Sequence, residues 1–424
     1  MTNPLGRSGA VASDQGAATG VSLPNPRTPR YQTLDLWRGL ACLMIAVLHA
    51  AHCASEGAEA TNLAGRKILW GISKMGAGVP MFFVISGYCI AATSDSTRRR
   101  PSAPEQFFLR RFRRIYPPFW AIAALSLLLA SALAFAGQAD LVSSEYALIP
   151  QPSRLSASQW LGNVTLTETW RHHLFGDPPL KILGPSWTLC YEEQFYAVCG
   201  LILMIAPGRF FAGIVVVTLI TLAVAPIGGT AIEGFFFDGR WLMFAEGVAV
   251  YSVLNYWERR PRGVALFAIL LCAVAAYRYG VPGVSANAIL RDRLWELIVS
   301  TSFGLILAVL HPWDLRTAGA RTLRPLAVCG QMCYSLYLVH WPITAVMTTA
   351  AYRAGIRGVW PTLLVVAPLT LAASLGASWL FHLVVERRFL NPPVALLGPR
   401  PRAVPLAFSF GAGPIVQPSR GEAP

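Results

Sequence analysis

The chain has 424 residues, 54% of them hydrophobic and only 13% charged. A soluble domain carries roughly twice that charged fraction on its surface, so this composition excludes an ordinary soluble enzyme. The formal charge is +14, from 35 Lys+Arg against 21 Asp+Glu. Most of the basic residues stand between hydrophobic blocks, where the positive-inside bias of membrane proteins accounts for them without a nucleic acid partner.

In chain order, the first 33 residues are polar, with Pro24, Pro26 and Pro29 near their end. No short apolar region with a cleavage site precedes the first hydrophobic block, so that block is expected to act as its own insertion signal. The blocks run to roughly 17–25 residues, the length that crosses a bilayer. Ten spans are expected, near 35–53, 76–93, 115–136, 186–206, 210–227, 240–256, 263–280, 294–311, 326–348 and 360–384. The fold class is therefore all-α, a polytopic membrane helix bundle with about ten transmembrane helices. Its expected divisions are a cytoplasmic tail over 1–33, a transmembrane domain over 34–391 and a Pro-rich, disordered cytoplasmic tail over 392–424.

Placing the N-terminus in the cytoplasm puts nearly all the arginine clusters on one side. These are Arg98–Arg100, Arg110 to Arg114, Arg209, Arg259 to Arg262, Arg316 to Arg324, and Arg387 with Arg388. The longest connection, about 137–185, then lies outside and carries Trp160, Trp170, His172 and His173. Cys42, Cys89, Cys190, Cys199 and Cys272 fall inside apolar blocks with no paired spacing. They read as small buried hydrophobes rather than a disulfide or metal framework.

Polar groups inside the spans carry the chemistry. In LDLWRGLACLMIAVLH, Arg38 and His49 are 11 residues apart, which on a helix is within about 20° of whole turns and about 16 Å of rise. His52 falls about one turn further, on nearly the same face. One helix side thus carries a guanidinium near the cytoplasm and an imidazole deeper in. Snorkelling and a structural hydrogen bond are the plain alternative to a reactive site. In SWTLCYEEQFY, Glu192 and Glu193 are about 100° apart, so only one can face a shared cavity. Trp187, Tyr191 and Tyr196 flank them. In FFLRRFRRIYPPFW, Arg111 and Arg114 either anchor a span end or clamp phosphate oxygens. Ser86–Gly87 permits a close helix approach or a bend. Asp238, Arg240, Glu246 and His340 add further polar handles, for which local packing is the simpler role.

These motifs together resemble the membrane-bound acyltransferase family 3. The arginine and histidine of span one, an F-x-x-S-G-Y-type span two, the R-R-x-x-R-I-Y-P entry to span three, the glutamate-bearing span four and Y-S-L-Y-L-x-H-W-P occur in the family's order, over about residues 31–392. Members O-acylate sugars, surface polysaccharides, peptidoglycan and some macrolides. The resemblance implies an acyl-CoA donor, acetyl-CoA first among them, used as a substrate with no permanently bound cofactor and no metal. It implies a glycan or glycoside acceptor and a bacterial inner membrane location. It matches His49 to the family's essential histidine and Glu192 to its span-four glutamate; by analogy with a triad, Glu192 is then expected as a second catalytic group that orients or charge-balances the imidazole. It also gives Arg38, Arg111 and Arg114 to the donor, leaving Ser86, Trp187, Tyr196, Arg240, Glu246 and His340 to substrate or structure. No lipase-like domain follows the last span, so transfer is expected to be completed by the membrane domain alone or with a separate partner. A multispan transporter of a glycan or lipid precursor is the competing class, since buried Arg, His and Glu also suit a proton-coupled path.

Overall fold

The computed structural model describes residues 25–28, 30–57, 62–99, 103–143, 147–224, 234–279 and 288–390. The expected tails over 1–33 and 392–424 lie largely and wholly outside these residues. Ten long helices carry the fold: α1 Leu34–Ala50, α2 Gly78–Thr97, α3 Ala103–Phe135, α4 Trp187–Ile205, α5 Phe210–Val224, α6 Arg240–Tyr256, α7 Arg260–Tyr279, α8 Ala288–Leu310, α9 Cys333–Arg353 and α10 Ala367–Phe381. Among the described residues there is no strand beyond one isolated bridge, Ser143 to Leu148. Among the described residues five stretches are long and apolar enough to cross a membrane: Leu63–Thr97, Pro104–Phe135, Gly184–Ile205, Arg293–Ala318 and Val359–Leu390. The molecule is an all-α membrane helix bundle.

Arg98 donates to the Gly208 carbonyl beside Arg209, and Arg27 to the Trp257 carbonyl two residues before Arg259, so these arginine clusters gather at the end of the bundle where α1 begins. Two buried carboxylates knit that end together. Asp95, on α2, accepts from Arg98 Nε at 2.7 Å and from the hydroxyls of Tyr251 and Tyr256, on α6, at 2.9 and 2.5 Å. Asp314 accepts from the backbone N–H groups of Gln32 and Thr33, each at 2.7 Å, just ahead of α1. Both bury a charge only because several donors surround it.

Three boundaries differ from the sequence reading. The third span was expected from 115, but α3 begins at Ala103, so Arg110 to Arg114 lie within the helix and not in a loop before it. Arginine is a good helix former; Phe107, one turn before the arginines, is buried, and Phe112 among them stacks on Tyr116 one turn on along the same helix. The ninth span is two helices, Arg324–Gln331 and α9, broken at Met332. The tenth contains two π-helical segments, Thr362–Val366 and His382–Glu386. In the second of these, Glu386 accepts from Ser335 Oγ at 2.5 Å and pairs with His382 Nδ1 at 2.8 Å.

The long connection between α3 and α4 is itself built, with helices Ala157–Val164 and Glu168–Phe175. Arg171 and Glu168 form a buried ion pair there at 2.9 Å. Ser158 and Ser156 hydroxyls donate to Asp177 at 2.5 and 2.7 Å, which holds that carboxyl below the usual carboxylate range.

Close helix crossings depend on glycine. A Cβ on Gly87 would lie 2.1 Å from the Phe244 carbonyl oxygen, and one on Gly39 would lie 2.1 Å from that of Leu326. Backbone atoms of packed helices cannot step aside, so α2 meets α6, and α1 meets Arg324–Gln331, only where the side chain is missing. Gly87→Ala is expected to cost about 1–3 kcal/mol through overpacking. Thermal unfolding in detergent should show a lowered midpoint for this variant and none for Gly376→Ala, where a Cβ meets nothing within 4 Å.

Candidate active site

A cavity of about 340 Å³ lies between α1, α2, α3, α4 and α9, and its wall joins Arg38, Arg111 and Arg114 to His49 through Ser86, Tyr196 and Glu192. Most of the residues singled out in the sequence therefore meet in one place. Trp187 and His340 also line it. Arg240 and Glu246 do not: Glu246 accepts from Thr301 Oγ1 at 2.6 Å between α6 and α8, and Arg240 is held by Asp238 at 2.8 Å.

At the arginine end, Arg38 donates to Asp35 Oδ1 at 2.7 Å and lies against Cys89 Sγ. Arg111 donates to Thr93 Oγ1 at 2.9 Å while its guanidinium stacks 5.3 Å over the Tyr196 ring, and its buried Nε has no hydrogen-bond partner. Among the described residues, Arg114 has neither a hydrogen bond nor an ion pair. Pro117 and Pro118, inside α3, cannot donate to the carbonyls of Arg113 and Arg114, which loosens the turn that presents this guanidinium. Three cations in a low-dielectric cavity with one carboxylate partner between them form an anion-binding wall.

Mid-cavity, Glu192 accepts from Ser86 Oγ at 2.5 Å and from the Tyr196 hydroxyl. Glu193 turns away and accepts from Tyr116 at 3.3 Å, as the helical offset requires. The bond expected between Glu192 and the His49 imidazole is not formed. Two hydroxyl donors already engage Glu192, and the partner of His49 is His340.

That pair defines the other end. His49 Nδ1 and His340 Nε2 are 2.9 Å apart, and the rings are parallel within 4° with centroids 5.1 Å apart, so they meet edge to edge. His340 Nδ1 is 2.8 Å from the Leu336 carbonyl oxygen, which can only accept. The proton at that contact is therefore on His340 Nδ1. In a neutral ring, His340 Nε2 then carries the lone pair and accepts from His49 Nδ1–H. His49 is left with its lone pair on Nε2, unbonded among the described residues, on a side chain that lines the cavity. His340 belongs to the candidate site by this bond, though its sequence neighbourhood read as packing. His52, expected on the same helix face, falls past the end of α1 in the 3₁₀ segment His52–Gly57, outside the cavity.

Two further wall contacts complete the cavity. Thr188 donates to the Tyr337 hydroxyl at 3.0 Å, and that hydroxyl donates to the Pro185 carbonyl. Glu296, on α8, also lines the cavity. Sequence reasoning missed Glu296, which stands in no motif and reaches the cavity only through the packing of the bundle.

The family model described as "Acyltransferase domain" matches residues 31–382. The chain is 25% identical over 403 residues to "Acyltransferase MdmB" of Streptomyces mycarofaciens, covering 88% of this chain and 94% of the relative. It is 27% identical over 334 residues to "Exopolysaccharide production protein ExoZ" of Rhizobium meliloti, covering 74% and 89%. It is 23% identical over 340 residues to "O-acetyltransferase OatA" of Staphylococcus aureus, covering 76% of this chain but only 53% of that protein's length. No solved structure matches.

The unpaired Arg114 leads to a binding prediction. A charge-assisted hydrogen bond is worth about 1.5–3 kcal/mol, and about 1.4 kcal/mol is tenfold in affinity. Arg114→Gln should weaken coenzyme A binding at least about tenfold by calorimetry, while Arg113→Gln, outside the cavity, should change it little.

Proposed function

The chain belongs to the membrane-bound acyltransferase family 3, and from that premise we propose that it moves an acetyl group from acetyl-CoA to a glycan or glycoside hydroxyl. The activity class is acyl-CoA-dependent O-acyltransfer, and the family acts on polysaccharide and glycoside hydroxyls. The observation that carries the finer reading is the free Nε2 lone pair of His49 at one end of a cavity whose other end is lined by arginines.

In this reading the inner-membrane protein has its termini and arginine end in the cytoplasm. Coenzyme A docks with its phosphates on Arg111 and Arg114, and its pantetheine arm passes Arg38. Arg38 and His49 are about 16 Å apart along α1 by helical rise, a span the extended arm covers. The acceptor hydroxyl enters from the opposite end.

His49 Nε2 takes the hydroxyl proton as the oxygen attacks the thioester carbonyl and the C–O bond forms. The tetrahedral intermediate collapses with cleavage of the C–S bond, and His49 Nε2–H returns the proton to the departing sulfur. Ester and free coenzyme A thiol leave, so the proton balance closes on one nitrogen. His340 fills the place an acidic residue takes in a triad: it accepts from Nδ1–H, fixes the tautomer and shares the charge of the transient imidazolium. Glu192, with Ser86 and Tyr196, shapes the middle of the cavity where the thioester passes.

His49→Ala in nanodiscs should abolish release of coenzyme A thiol from acetyl-CoA with an envelope glycan extract as acceptor, with the thermal unfolding midpoint kept. Full activity per folded molecule in that variant would overturn the assignment. His340→Gln keeps a group able to accept from His49 Nδ1–H, so it should retain more kcat than His340→Ala, with the acetyl-CoA KM the same in both.

A further inference from the structure

A third ring stands against the imidazole pair. The Trp341 indole is T-shaped to the His49 ring, at 79° with centroids 5.4 Å apart. Trp341 follows His340 on α9 and is partly buried.

One hydrogen bond at one edge of an imidazole fixes that edge. It leaves the ring free to tilt about the line joining the two bonded nitrogens. His49 and His340 lie parallel within 4°, so nothing in the pair itself stands across that tilt. A large flat side chain set nearly at right angles does, and T-shaped is a favourable arrangement for two aromatic rings. The Nε2 lone pair points off the line between the nitrogens, so a tilt turns it away from its target.

Trp341 is held in turn by the connection between α3 and α4. Its Nε1 donates to the Leu148 carbonyl at 3.3 Å, and its ring packs on the apolar cluster that holds Val142, Ala147 and Ile149. Gly184 lies against the indole: a Cβ there would fall 2.7 Å from Cε2 and Cη2 and nearer still to Cζ2. No side chain fits at 184 unless the indole moves, and the indole has His49 beside it.

We propose that Trp341 is a positioning residue for His49. It holds the imidazole plane so that Nε2 faces the acceptor hydroxyl, and it ties the base to the placement of the α3–α4 connection. This rests on the acyl-transfer reading above.

The test measures kcat, the acetyl-CoA KM and the half-saturating concentration of envelope glycan extract in nanodiscs, with the thermal unfolding midpoint as the check of folding. A misplacement of about 1 Å can cost about 100-fold in rate, so Trp341→Ala should lower kcat at least about tenfold. Both half-saturating concentrations should stay within twofold of wild type. Trp341→Phe, which keeps an aromatic ring against the imidazole, should recover kcat to within threefold. Gly184→Ala should lower kcat at least fivefold alone, and less than twofold when added to Trp341→Ala. A kcat within twofold of wild type in folded Trp341→Ala, or losses that multiply in the double variant, would overturn the positioning role while leaving acyl transfer standing. Should Trp341→Ala fail to fold, wild-type kcat in Gly184→Ala would overturn it equally. A folded wild type that releases no thiol from acetyl-CoA would overturn the acyl-transfer reading and the positioning role with it.

Discussion

The hydrogen bond between two imidazoles, His49 to His340, is the contact on which the functional account turns. A lone histidine on a transmembrane helix can hold its proton on either nitrogen, and half of those choices leave nothing reactive in the cavity. The Leu336 carbonyl removes the choice, because a carbonyl accepts and never donates. One fixed proton on His340 sets the next on His49, and the lone pair at the end of that chain faces the cavity. The account requires no carboxylate at the imidazole pair, and Glu192 is occupied by two hydroxyl donors.

The bundle around this pair does the positioning. Arg38 and His49 share α1, whose approach to Arg324–Gln331 needs Gly39 bare. α2 brings Ser86 and Cys89 to the cavity because Gly87 lets it lie against α6. Charged groups that would be prohibitive in lipid are placed either among several donors, as Asp95 and Asp314 are, or at the wall of a cavity a ligand can fill. The unpaired Arg114 is of the second kind.

Much of this was legible in the sequence. Hydrophobic block length gave ten spans close to the ten helices, and helical arithmetic placed Arg38 and His49 on one face and separated Glu192 from Glu193. The spacing could not reveal pairs made across helices. His49 and His340 are 291 residues apart, and Glu296 stands in no motif. Nor could it show that α3 extends back through the arginines, because a positive-inside cluster reads as a loop until packed aromatics show it to be helix. The assignment of Glu192 as partner to the imidazole came from analogy with a triad, and the competing hydrogen bonds from Ser86 and Tyr196 override it.

The proposed reaction is directional, with the donor at the arginine end and the base and acceptor at the other. It is tested most directly by supplying acetyl-CoA to one face of sealed membrane vesicles. Everted vesicles, which would expose the arginine end if it faces the cytoplasm as proposed, should release thiol at once and acetylate glycan inside the vesicle. Right-side-out vesicles should do neither until they are permeabilised. Equal thiol release from intact right-side-out vesicles would contradict the account.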